Sequence, residues 1–238
     1  MNVPKNDLSV LTLIAVNLAP LIGVLWFGWD AAVIVLLYWA ENLVIGFYNV
    51  LRMALVRVDH PIMNLQKVLA IPFFCLHFGG FCAIHGVFLL AFFNYKEGLD
   101  SALSGHGWPG PLVFFWLLHS VVSVLWQNHP DGMGWLVLGL ACSHGISFVQ
   151  NFVIGKEYTS LTTGVLMGRP YTRIVILHVA IIAGGIPIMM IGSPAPLVVI
   201  LVLIKIGMDL WLHRRSHRVS PPRPKVVRMG TARADASP

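Results

Sequence analysis

One helical stripe of this chain carries a carboxylate inside an apolar run. In Tyr38-Trp39-Ala40-Glu41-Asn42 and the residues up to Arg52, steps of about 100° per residue bring Tyr38, Glu41, Asn42, Asn49 and Arg52 to one face. The run is long enough to cross a bilayer, where an ionisable group costs roughly 2.5–3.5 kcal/mol on insertion scales. Glu41 must therefore face protein or a wet cavity, as an acid/base or a ligand. His77, His85, His144 and His178 sit in other apolar runs. At about 1.5 Å per residue, Glu41, His77 and His144 share a depth, roughly 15–24 Å above the cytoplasmic edge of a core about 30 Å thick. The expectation is one mid-membrane cluster, with Glu41 catalytic and His77 and His144 as metal ligands. Glu-His-His is a known zinc ligand set, and histidines facing each other across helices also hold haem or copper, so zinc ranks ahead of those two. Tyr38, Asn42, Asn49, His85, Asn151, His178, Lys205 and Asp209 complete the expected polar core.

Plainer readings stand beside these. Taken singly, each histidine is a neutral hydrogen-bonding packing group, and only the set suggests a metal. Glu41 could be held by a histidine or an amide and have no chemical role. His77 and His85 are about 12 Å apart along a straight helix, too far to share one ion. Ser143 and His144 are neighbours on a helix and diverge by about 100°, so they make no nucleophile pair. Lys205 and Asp209, four residues apart, read as an ion pair on a helix face. No P-loop, dinucleotide fingerprint, haem-attachment C-x-x-C-H or zinc-finger spacing occurs.

The elements that must position these groups follow from composition. The chain has 238 residues, is 57% hydrophobic and 11% charged, and has a mean hydropathy of +0.77, which is a membrane composition. The predicted fold is an all-α polytopic transmembrane bundle over residues 1–213, followed by a basic, disordered cytoplasmic tail over 214–238. Apolar runs are expected at 8–27, 30–56, 67–95, 111–127, 132–154, 173–191 and 197–213. The fourth is short for a span, which needs about 20 residues. Cys75, Cys82 and Cys142 lie in apolar runs and make no disulfide framework.

The net charge of +6 concentrates in the tail and in the loops at 52–67 and 155–173. The positive-inside rule places all three in the cytoplasm. Seven plain spans would put the two loops on opposite sides. Six spans plus one interfacial or re-entrant segment remove the conflict and leave both termini inside. Seven spans remain the alternative, with Arg52, Arg57 and Lys67 outside. The tail reads as a contact for anionic lipid, with no nucleic-acid role.

Three stretches carry a resemblance: Tyr38-Trp39-Ala40-Glu41-Asn42 through Asn49, Ser143-His144-Gly145 through Asn151, and Pro170-Tyr171-Thr172-Arg173 through Val179. Together they resemble an uncharacterised prokaryotic membrane family, domain of unknown function 6498. The resemblance implies a polytopic protein of the prokaryotic inner membrane and lends no activity. The family form has glycine where Thr172 stands here, a departure expected to fall in a loop.

Three function classes fit. The first is a metal-assisted intramembrane enzyme. The second is a proton-coupled carrier or channel, against which stands the lack of an internal repeat. The third is a non-catalytic membrane partner whose buried polar groups fix helix packing. Oligomeric state is left open by the sequence.

Overall fold

The computed structural model describes residues 18, 20–57, 61–95, 98, 100, 103–104, 110–128, 132–191, 196–204 and 206–207, and among these the regular elements are all helical. Helix α1 spans Ala31–Leu55. Asp30 caps it as its position before an apolar run predicts, its side chain accepting from the Ala32 N–H at 2.8 Å. Helix α2 spans Pro61–Phe92. It begins six residues before the predicted 67, because Pro61 suits a first helical position and no Gly or Pro stands between it and residue 67; Pro72 lies inside the helix. A 3₁₀ turn, Gly110–Leu112, leads into α3, Val113–Asn128. Helix α4, Met133–Ser147, continues as a π-helical stretch, Phe148–Ile154. The short α5, Thr163–Gly168, precedes α6, Tyr171–Ile191. Residues 20–26 and 196–204 are also helical.

Among the described residues, five helical stretches are long and apolar enough to cross a membrane: Ala31–Leu55, Asn64–Phe92, Gly110–Asn128, Met133–Ile154 and Thr163–Gly185. Their outer faces carry large apolar side chains such as Leu69, Trp126, Trp135 and Ile182, each more than half exposed. A surface of this kind suits lipid as the solvent. The 111–127 segment extends to 19 residues once its 3₁₀ turn is included, so its length does not exclude a crossing.

Contacts fix the directions of the helices. Trp39 Nε1 on α1 donates to the Cys82 carbonyl of α2 at 2.8 Å, and Gly46 faces Phe78, so these two helices are antiparallel. Tyr171 meets His77, His178 meets His85, and Gly185 meets Phe92, so α6 runs parallel to α2. Leu197 packs on Gly184, which returns the chain antiparallel to α6. Helix α3 is the exception to simple alternation. A methyl on Gly80 would lie 3.2 Å from Phe114, and one on Gly86 would lie 2.6 Å from Val121. Helix α3 is thus parallel to α2, the element before it, and it begins opposite Gly80, about 18 Å short of the end of α2.

The basic loops meet at one end. The Arg57 N–H donates to the Tyr158 carbonyl at 2.9 Å, and the Arg57 guanidinium lies 5.0 Å from the Tyr158 ring centre. Lys67 donates to the Val56 carbonyl. The core divides into two apolar clusters. One holds Val35, Leu36, Trp39, Leu89, Leu90, Val121 and Leu177. The other holds Met53, Phe74, Phe78, Phe148, Phe152 and Ile174. The basic tail, Lys205 and Asp209 lie outside the described residues.

Candidate functional site

Glu41 stands on α1 about 15 Å from the Ala31 end and about 21 Å from the Leu55 end. Its Oε2 lies 2.9 Å from Arg173 Nη2 of α6, an ion pair. Its Oε1 lies 3.4 Å from His144 Nε2 of α4. Three helices therefore converge on one carboxyl group, which is itself only 16% exposed. The site lies where the two apolar clusters meet: on α6, Ile174 belongs to one and Leu177 to the other. Arginine is charged at any relevant pH and offers a rigid fork, so it holds a carboxylate in place.

Glu41 also lines two hollows. A cavity of about 690 Å³ runs from Trp29 and Asp30 past Leu37 and Tyr38 to Glu41, walled opposite by Leu136, Leu140 and Ser143. A small pocket of about 40 Å³ joins Glu41, Asn42 and Tyr38 to Arg173 and Leu201. Asn42 is buried, and its amide donates to the Tyr38 carbonyl at 2.8 Å, one turn back in the same helix.

The structure does not bring Glu41, His77 and His144 into one cluster. His144 reaches Glu41, but His77 Nδ1 bonds the Tyr171 hydroxyl at 2.8 Å and its ring stacks on Phe73. Shared depth fixes height along the bundle but not direction around it, and His77 points toward α6. Among the described residues no three His, Cys, Asp or Glu side chains gather as a metal site would require. Glu41 and His144 supply two donors, and the third group at the site is a cation.

The other expected polar residues disperse. His85, fully buried, pairs with His178 through Nε2 and Nδ1 at 2.8 Å. Asn49, also buried, turns to the Met53 sulfur at 3.7 Å. Asn151 lies on the exposed side of the π-helical stretch and donates to Ser147 Oγ at 3.1 Å. Sequence reasoning missed Arg173 and Tyr171. The sequence places Arg173 at the boundary between the 155–173 loop and the 173–191 run, whereas it is the third residue of α6, and Thr172 is likewise helical. The signal was present: a buried carboxylate needs a cation, and Arg173 lies in a stretch singled out for its resemblance.

The chain matches the model of a family of unknown function, DUF6498, over residues 1–226, and it belongs to that family. No curated protein and no solved structure matches it.

Proposed function

We propose that this chain is a six-span membrane protein with an intramembrane acid/base site that takes up a lipophilic molecule and exchanges a proton with it. One observation carries the reading. Of the two carboxylates that line the largely apolar 690 Å³ cavity, Asp30 caps the start of α1 and Glu41 is held between Arg173 and His144, and the volume suits a small molecule. Arg173 supplies a fixed counter-charge, Glu41 faces the ligand, and His144 passes the proton to or from Glu41. The apolar lining selects a lipophilic substrate, and the carboxylate favours one with a protonatable or hydroxyl group.

The contact between Arg57 and Tyr158 supports the span count. Seven plain crossings would place these residues on opposite sides of the membrane. Six crossings with α3 re-entrant bring both basic loops and both termini to the cytoplasmic face, with the tail against anionic lipid. The membrane is then the inner membrane of a prokaryotic cell.

Carbodiimides test the acid/base site. They react with protonated carboxyl groups, and the lipophilic dicyclohexyl reagent enters apolar cavities. In the full-length protein in lipid nanodiscs, peptide mapping should locate this reagent on Glu41, more so as the pH is lowered. A water-soluble carbodiimide should label Glu41 far less. Glu41 left unmodified by the lipophilic reagent at every pH would overturn the reading. Elemental analysis of the same preparation tests the metal-assisted enzyme. One zinc per chain, lost in Glu41→Gln, would replace the proton-exchange reading with that one.

A further inference from the structure

A second cavity, separate from Glu41, lies between the end of α2 and one face of α3. Its volume is about 570 Å³. Trp116, Ser120, Ser123 and Gln127 follow one another along α3 at steps of three or four residues, and all four line it. Asn94 closes the opposite wall, from a left-handed turn (φ 61°) just past α2. The stripe from Trp116 to Gln127 descends about 16 Å, from an exposed amide to a half-buried indole. At the bottom the Trp116 Nε1–H is buried with no hydrogen-bond partner among the described residues. A buried donor of this kind calls for an acceptor from water or a ligand.

The chemistry of the wall is specific. Among the described residues that line it, His119 is the one of a titratable type besides Tyr95, and none is a lysine, arginine, aspartate or glutamate. Against these residues a charged ligand would lose hydration without an opposite charge to replace it. Hydroxyls and amides from serine, asparagine and glutamine offer both donors and acceptors, and an indole face suits the C–H side of a ring. We propose that this cavity binds a small uncharged polyhydroxy molecule, of the size and polarity of a monosaccharide or cyclitol. The Trp116 indole N–H would donate to one hydroxyl, and Ser123, Gln127 and Asn94 would bond others. The cavity opens at the end of the bundle opposite the basic loops, so the ligand enters from the extracytoplasmic side. The binding claim rests on the cavity alone, and only the side of entry rests on the six-span topology.

The experiment uses the full-length protein in nanodiscs and saturation-transfer NMR with four probes: glucose, N-acetylglucosamine, myo-inositol and, as an anionic control, glucuronate. At least one neutral probe should show saturable transfer, and glucuronate should bind at least about tenfold more weakly. Trp116→Phe removes the indole donor and should weaken binding by about tenfold or more. Trp126→Phe, on the same helix but outside this cavity, should leave it unchanged. Gln127 is exposed, so Gln127→Ala tests the site without threatening the fold, and it too should weaken binding. No saturable transfer to any neutral probe, which means a cavity that holds water only, would overturn the proposal. Equal binding by Trp116→Phe and Gln127→Ala would overturn it as well.

Discussion

Helices α6 and α3 both carry polar groups into an apolar bundle, and they use them in opposite ways. On α6, Tyr171, Arg173 and His178 each close on a partner from another helix: His77, Glu41 and His85. On α3, Trp116 Nε1 is left without one among the described residues, and Ser123 and Gln127 face a cavity. A polar group in a low-dielectric interior costs free energy unless it is hydrogen-bonded, so α6 is tied into its neighbours by its polar side chains. Helix α3 is held by apolar and small-residue contacts, such as Val121 against Gly86, and leaves its polar face open. Polar residues in a membrane sequence thus divide into those the fold satisfies and those left for water or a ligand.

The largest effect is expected at the ion pair on α6. Arg173→Met leaves the Glu41 carboxylate without its cation and should destabilise the protein by about 2–5 kcal/mol in a reversible detergent unfolding assay. Adding Glu41→Gln should recover much of that loss, since the unpaired charge goes with it. If the two changes are merely additive, the pair is not what ties α6 to α1.

A smaller effect belongs to the α2–α3 contact. Gly86→Ala drives a methyl to 2.6 Å from Val121 and 3.0 Å from Trp39, and overpacking of this kind costs about 1–3 kcal/mol. Gly79→Ala on the same helix meets nothing within 4 Å and should be neutral or up to about 1 kcal/mol stabilising. Equal behaviour of the two would show that α3 does not pack along Gly80 and Gly86 as described.

The open face of α3 should respond least. Ser123→Ala removes a hydroxyl that faces the cavity and should change stability by no more than about 0.5 kcal/mol. A loss above about 1 kcal/mol would place α3 with α6, as a helix whose polar groups are structural.

The last test moves no stability at all. In a variant lacking Cys75, Cys82 and Cys142, single cysteines at Ser104 and His129 should react with a membrane-impermeant maleimide from the same side. Labelling from opposite sides would make α3 a full crossing and end its contrast with α6.

The sequence by itself determined the solvent and the helices. Apolar runs of about 20 residues can satisfy their backbone in lipid only as helices, so composition and run length decide the class of fold. It also determined that Glu41 needs a partner, because burial of a carboxylate is costly wherever it occurs. Part of the loop arrangement was legible too: the charges near Arg57 and Lys156 ask for one side, and the contact between Arg57 and Tyr158 brings those loops together. Which partner Glu41 takes was decided only by tertiary packing. His77 and His144 share its depth, yet helix azimuth turns His144 toward Glu41 and His77 toward Tyr171. Arg173 becomes the counter-ion because α6 starts at Tyr171, two residues earlier than its charge pattern suggests. Periodicity along one helix gives the face a residue occupies, but which helix meets that face depends on how side chains interlock across the whole bundle.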